Sequence, residues 1–420
     1  MVQIRKLSWI IVVAFAVRIA ARWYSGGTDF WTNGYSFFFA LAQNIASGQG
    51  IALNGQATAF RVPLYPMFLA AVTFGRKEFI SVVLFQSLIG AATVCCAALI
   101  AREMFGYRAA LMAALVTALY PYYVIHDTAL QETGLYTFLT ALAVLLVMRA
   151  RRGGSRSMAA VAGLVLGADV LTRANLAPFA LLVPLILLVP IQPGSTSWQR
   201  RAWACALCAG AVILMLTPWL LRSYALTGAP SLSTQSGFFL WLGNNASTFS
   251  RYPTESVDLS QRVALASLTT EQRAEMAALS PNEAAVDRWF LHEGLDYMRD
   301  HPWQTVVAAV RKIAAGFCLL PSPRRGFWPN LVYLLSYGPV MILGLGGMWM
   351  FRRSWRDHLI FYALFGCFAA VTAIYFGHTS YRVYLDVYWI VFAAGLLDYL
   401  WTRRPLPTPV KLLDQFAVAA

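Results

Sequence analysis

Residues 79–101 read FISVVLFQSLIGAATVCCAALIA, an uncharged run closed by Arg102. As a helix rising about 1.5 Å per residue, it is long enough to cross the ~30 Å hydrocarbon core of a bilayer. Similar runs occur at 7–24, 109–126, 131–148, 157–172, 175–192, 202–221, 328–351, 358–377 and 383–402. The expected fold is therefore all-α, a polytopic membrane protein of about ten transmembrane helices. Composition agrees: of 420 residues, 59% are hydrophobic, 14% aromatic and only 12% charged. A soluble core has no use for that much apolar surface.

The formal net charge of +14 does not indicate a nucleic-acid partner, because the basic residues fall in short clusters between apolar runs. These clusters are Arg5/Lys6, Arg102/Arg108, Arg149/Arg151/Arg152/Arg156, Arg200/Arg201, Arg352/Arg353/Arg356 and Arg403/Arg404, at both termini and in every second loop. The positive-inside rule places them, and both termini, in the cytoplasm. The opposite face then receives residues 25–78, the turn His126–Glu132, the turn at Arg173, the stretch Ser223–His301 and the turn His378–Arg382. Arg18 and Arg22 spoil a signal-peptide cleavage site, so the first span is expected to remain as an anchor. All six cysteines lie in apolar runs, and Cys205-x-x-Cys208 has no histidine beside it; no disulfide framework or zinc site is expected.

Three segments follow: a transmembrane module, 1–222, with its first outer loop at 25–78; a helical cap, 223–303; and 304–420, an interfacial helix followed by the last spans. Residues 61–75, RVPLYPMFLAAVTFG, are too short to span and are expected to lie in the interface. So is 302–320, where Arg311 and Lys312 interrupt an apolar run. Residues 250–300 alternate charge at helical spacing, as a small helical cap would.

Charged groups beside a membrane span call for a reason. Asp29, in SGGTDFWTNGY, is the only acid between the first span and Glu78. It is a candidate general base for an incoming hydroxyl, the alternative being a helix cap. Glu132 supplies a second acid, again with a helix-start alternative, and His126 and Asp127 lie nearby. Arg61, Arg173, Arg222, Lys312 and Arg382 gather on the same face, suited to a phosphate at headgroup level. Asp169/Arg173 and Arg382/Asp386 are both spaced i, i+4, so intrahelical neutralisation is the preferred reading for those two arginines. Arg61 and Arg222 have no such neighbour.

Several elements recur in a recognisable order: Asp29 in the first outer loop, Ala42 to Gly50 with the pattern A-x-x-x-x-x-G-x-G, R-x-P-L-Y-P at Arg61 to Pro66, and Glu132. They continue with L-x-R at Leu171 to Arg173, P-W-x-x-R at Pro218 to Arg222, W-L-G-N-N at Trp241 to Asn245, and S-Y-R at Ser380 to Arg382. This order resembles the GT-C membrane glycosyltransferases, most of all the bacterial branch related to protein O-mannosyltransferases and to lipid A aminoarabinose and rhizobial core-sugar transferases. The likeness runs over nearly the whole chain and is firmest in residues 1–225.

The resemblance implies a polyprenyl-phosphate-linked sugar as donor, a lipid, glycan or protein as acceptor, a periplasmic active site and a bacterial inner membrane. It makes Asp29 the base and Glu132 the second acid, with Arg61 and Arg222 on the lipid phosphate. The wider substrate-binding set comprises Arg61, Tyr65, Arg173, Arg222, Asn244, Lys312 and Arg382. Many relatives carry two adjacent acids in the first loop, whereas Phe30 follows Asp29 here, which puts metal assistance in doubt. No cofactor is expected. Two rivals stand beside this reading: a polysaccharide polymerase or ligase using a diphosphate-linked donor, and a lipid or solute transporter with Asp169 and Asp386 in a relay. The transporter predicts ionisable groups near the midplane on several spans, whereas these groups hug one face.

Overall fold

A computed structural model of the chain describes residues 2–27, 29–31, 36–192 and 196–402; the Arg403/Arg404 cluster lies outside the described residues. Eighteen α-helices follow one another. They are α1 (Val2–Ser25), α2 (Ser36–Ala46), α3 (Leu64–Thr73), α4 (Phe79–Phe105), α5 (Tyr107–Leu119), α6 (Pro121–Asp127), α7 (Thr133–Gly153), α8 (Arg156–Thr172) and α9 (Ala177–Leu188). The order continues with α10 (Trp198–Thr227), α11 (Ser236–Gly243), α12 (Val257–Ala266), α13 (Thr270–Leu279), α14 (Glu283–Asp300), α15 (Pro302–Gly316), α16 (Phe327–Met350), α17 (Trp355–Ile374) and α18 (Val383–Thr402).

Each of the ten expected spans is helical. Seven helices are long and apolar enough to cross a bilayer on their own, and an eighth span forms if α5 and α6 are taken as one bent element. The expected run 109–126 breaks at Tyr120–Pro121 with a bend of 53°. Proline lacks the amide proton and pushes its predecessor out of the helical region, and Tyr120 is accordingly extended. α8 and α9 fall short of the single-span length, at 17 and 12 residues. α15 is not among the candidate spans, in keeping with an interfacial placement.

Among the described residues the fold is all-α except for one short hairpin, β1 (Ala52–Leu53) and β2 (Gln56–Ala57). Its turn, Asn54-Gly55, has positive φ at both positions (51° and 78°), the backbone that an Asn-Gly pair adopts most readily.

α18 is the centre of the bundle: every residue from Val383 to Gly395 is buried. α16 lies close against it because Gly344 and Gly347 face the backbone of Trp389 and Phe392, where a β-carbon has no room. Gly163 and Gly167 do the same for α8 against α10. Small residues at such crossings allow the van der Waals packing that must replace hydrophobic driving force inside a membrane. The outward faces carry exposed Ile80, Leu84 and Leu88 on α4, Ile213, Leu214 and Leu221 on α10, and Leu335, Ile342 and Leu345 on α16.

One end of the bundle is basic. Glu103 accepts from Arg149 (2.7 Å) and Arg152 (3.1 Å), while Arg151 and Arg201 donate to the carbonyls of Val189 and Leu188. These contacts join the C-terminal ends of α4, α7 and α9 to the start of α10. The loops carrying the candidate site residues emerge from the other ends of these helices.

Candidate active site

α1 organises the site end. Its Arg18 and Arg22 sit one turn apart and are both buried, at 0% and 8% exposure. Arg18 Nε donates to Asp127 Oδ2 at 2.7 Å, and its Nη1 donates to the carbonyls of Ala14 and Ala118. Gly90 and Gly134 leave room for this pair: a β-carbon at Gly90 would collide with both partners, and one at Gly134 with Asp127. One turn later Arg22 Nη2 donates to Asp29 Oδ1 at 2.9 Å. The loop returns to its own helix through Gly26 (φ 71°) and through Gly27, whose Cα lies against the Phe79 ring. Asp29 remains 47% exposed.

The first loop and the Asp127–Glu132 turn therefore hang on one helix face, at positions about 6 Å apart along the axis. A polar relay ties in the third element. Tyr65 Oη donates to Gln86 Oε1 (2.8 Å), and Gln86 Nε2 donates to the carbonyls of Asp127 (2.9 Å) and Ala129 (2.8 Å). Phe30, Phe38, Tyr65 and Leu130 share one buried apolar cluster, so the residue after Asp29 and the residue two before Glu132 pack in the same wall.

Glu132 stands at the N-terminus of α7, 8% exposed, with Oε1 3.8 Å from Arg173 Nη1. Its Oε2 is buried without a hydrogen-bond partner, as is Nε2 of His126, whose Nδ1 is 2.7 Å from Gln131 Nε2. A buried polar atom left over in this way calls for an explanation, and a bound polar ligand is one. The Arg173 guanidinium lies over Tyr136 (4.9 Å) and Tyr381 (4.5 Å). Tyr381 in turn lies within electrostatic reach of Arg173, Arg61, Asp258 and Glu132. Arg61 sits among three aromatic rings, Phe37 (5.4 Å), Phe60 (4.9 Å) and Phe239 (5.0 Å), a setting that holds a cation by its side without removing its charge.

Glu132, Arg173, Arg61 and Tyr381 thus lie within electrostatic reach of one another from four separate segments, with Tyr65 near Glu132, and the residue after Asp29, Phe30, packs in the same wall as Tyr65. The expected intrahelical neutralisation of Arg173 does not occur: Asp169 accepts from Thr140 Oγ1 at 2.7 Å, and Arg173, the C-cap of α8, has extended backbone angles (φ −151°, ψ 109°) that turn its side chain away.

The remaining candidates lie elsewhere, in packing roles. Arg222 donates from Nη1 to Thr58 O (2.9 Å) and from Nη2 to Ile51 O (2.7 Å), pinning the first loop to α10. Lys312 is fully buried and donates to Gly243 O, Asn244 Oδ1 and Ile374 O at 3.1–3.2 Å; with no carboxylate beside it, burial lowers its pKa to about 8. Asn244, 2% exposed, completes that junction through Nδ2 to Leu240 O and Ile374 O. Arg382 is also fully buried, paired with Asp386 and bonded to Gly316 O (3.0 Å) and Tyr333 Oη (2.6 Å), with Tyr337 3.5 Å beneath it. Tyr120 Oη caps Asp386 from the far side at 3.0 Å. In this structure the side chains of these four residues bond to groups of the protein itself.

Arg18 and Arg22, which pair with Asp127 and Asp29, are residues of this end that the sequence did not single out as site candidates. Two arginines at i, i+4 inside a first span are the signal that could have found them, since an intramembrane charge needs a partner. A separate cavity of about 420 Å³ opens between residues 243–249 and α15, with Trp303, Gln304 and Arg311 on its wall. Among the described residues, no three or more His, Cys, Asp or Glu side chains gather as a metal-binding group.

Residues 61–221 match the family of dolichyl-phosphate-mannose-protein mannosyltransferases. No curated protein matches the chain by sequence. Among solved structures, the archaeal oligosaccharyltransferase AglB from Archaeoglobus fulgidus, in complex with an inhibitory peptide and a dolichol-phosphate, superposes with a TM-score of 0.58 at 14% identity, covering 99% of this chain and 54% of that one. The same enzyme in complex with Zn and sulfate gives 0.55 at 14% identity, over 95% of this chain and 49% of that one. ArnT from Cupriavidus metallidurans bound to undecaprenyl phosphate gives 0.41 at 14% identity, over 94% and 77%. The chain is an all-α polytopic membrane protein that shares the fold of the archaeal enzyme over nearly its whole length. It spans about half the length of the archaeal enzyme.

Proposed function

We propose that this protein is an inverting glycosyltransferase that moves a sugar from a polyprenyl-phosphate donor to a lipid, glycan or protein acceptor on the extracytoplasmic face. The observation that carries the reading is the convergence of Glu132, Arg173 and Arg61 from three loops at the bundle end opposite the basic loops, the end that also carries the half-exposed Asp29 carboxylate. With that basic end in the cytoplasm, the site opens where only lipid-carried sugars are available. The family match over residues 61–221 and the dolichol-phosphate bound to the archaeal neighbour support a polyprenyl-phosphate donor.

In the reaction, the acceptor hydroxyl gives its proton to the Asp29 carboxylate while its oxygen attacks the anomeric carbon. The bond from that carbon to the phosphate oxygen breaks on the opposite side, and polyprenyl phosphate departs with the electron pair. A single displacement inverts the centre. Arg61 and Arg173 face the charge that grows on the departing phosphate, where fixed donors act most strongly. Glu132 orients Arg173 and supplies a free carboxylate oxygen, Oε2, to a sugar or acceptor hydroxyl. In this reading residues 1–222 form the catalytic module, 223–303 cover it, and 304–420 anchor the cap to the last spans.

The test is transfer by the purified chain in nanodiscs with a panel of polyprenyl-phosphate sugars, native beside Asp29→Asn. One donor is consumed by the native chain, and the variant is slower by about 10²–10⁴-fold. Should every donor survive, or the variant turn over at the native rate, the proposal fails.

A further inference from the structure

We infer that Arg22 is the built-in cation of the Asp29 site, a positioning residue that lets the reaction run without a divalent metal. The inference rests on the reading above for Asp29 and goes beyond it.

Three acids at this end of the bundle each have a guanidinium: Asp29 has Arg22 at 2.9 Å, Asp127 has Arg18 at 2.7 Å, and Glu132 has Arg173 at 3.8 Å. Asp29 belongs to the first loop and the other two to the turn before α7, and each is turned toward its arginine. A divalent cation needs several oxygen or nitrogen donors converging on one point. The position after Asp29 offers Phe30 instead, 1% exposed and packed into the aromatic cluster. Among the described residues, therefore, no donor set fits a metal at Asp29.

Arg22 is built for the alternative. It is 8% exposed, with its guanidinium carbon 5.0 Å from the centre of the Phe30 ring and 5.9 Å from that of Phe79. The ring that displaces a second acid thus also seats the cation. Gly27, pressed on Phe79, holds the loop in the register that brings Asp29 back to α1. A guanidinium keeps its charge when desolvated and needs no exchangeable ion. Arg22 Nε is buried with no acceptor of its own, a donor left over beside the carboxylate. Arg18, one turn back, has its Nε on Asp127 and serves as the structural counterpart.

The experiment has two independent readouts. First, Mn²⁺ binding to the native full-length chain in nanodiscs is followed by electron paramagnetic resonance. No site that Asp29→Asn abolishes is expected; micromolar Mn²⁺ binding lost in that variant would overturn the inference whether or not a donor has been found. Second, with the donor identified by the panel, EDTA is expected to leave the native rate within twofold, and Arg22→Met to lower kcat by about a hundredfold. Arg22→Lys recovers part of that loss, and millimolar guanidinium restores turnover to Arg22→Ala, a rescue that repaired packing alone would not give. Loss of native activity with EDTA and its return with Mg²⁺ would overturn the inference while leaving the transferase reading intact. Failure of every donor would sink the transferase reading instead.

Discussion

Two arginines that look alike in sequence do opposite things. Arg173 and Arg382 each lie four residues from an aspartate beside a span, and spacing alone gives both the same intrahelical partner. Arg382 takes that partner: it precedes α18 directly and is wholly enclosed with Asp386, Tyr333 and Tyr337. Arg173 refuses it. As the C-cap of α8 it has left helical geometry, so its side chain swings to Glu132, keeping 16% of its own surface open. The i, i+4 rule applies only while both residues are helical, and a charge at a helix boundary is free to serve something outside the helix.

The largest effect should come from breaking the enclosed pair. Arg382→Met leaves Asp386 charged and alone in the core, a loss of about 3–5 kcal/mol, whereas Arg382→Met with Asp386→Leu restores much of it. Thermal unfolding in detergent reads both. Arg173→Met in the same assay should cost clearly less than Arg382→Met, because its pair with Glu132 is wider, at 3.8 Å, and both side chains keep part of their surface open. If Arg173→Met unfolds the chain as Arg382→Met does, the distinction between the two arginines is wrong.

Function should sort them the other way. Arg173→Met and Glu132→Gln, both folded, are expected to lower kcat/KM about a hundredfold, about 2.7 kcal/mol at the transition state. Arg222→Met lies between the two behaviours. It frees the carbonyls of Ile51 and Thr58 from α10, so it should cost about 1–2 kcal/mol of stability and raise KM through a loosened first loop.

The smallest effect concerns Lys312, enclosed like Arg382 but without an acid. Its pKa is lowered to about 8 in the folded chain, so between that pH and the usual lysine value the unfolded chain binds more protons and stability must rise with pH. The native melting temperature should therefore gain a few degrees on Lys312→Met between about pH 8 and 10, and a difference constant with pH would contradict the burial argument.

How far the chain could be read in advance follows the same division. Apolar runs located all seven candidate spans and the bent eighth, since burial in lipid forces each backbone group into a helix, but they also counted α8 and α9, which fall short of a single-span length. That 302–320 holds no candidate span was legible from Arg311 and Lys312, yet not their separation: Lys312 turns into a junction with Asn244, while Arg311 lies over Phe249 at 3.8 Å. The bend at Pro121 and the Asn54-Gly55 hairpin were written plainly in their residues. Arg18 and Arg22 were not, because their partners, Asp127 and Asp29, come from loops that only tertiary folding brings to α1. Spacing cannot show which of several acids an arginine meets.

The account's central claim is that Asp29 and Glu132 work in one site though they belong to separate loops. A double-mutant cycle on kcat/KM with Asp29→Asn, Glu132→Gln and the combined variant tests it most directly. Residues that act as a unit are strongly non-additive, so the double variant should be about as slow as the slower single one. Losses that multiply would place the two acids in independent roles and contradict it.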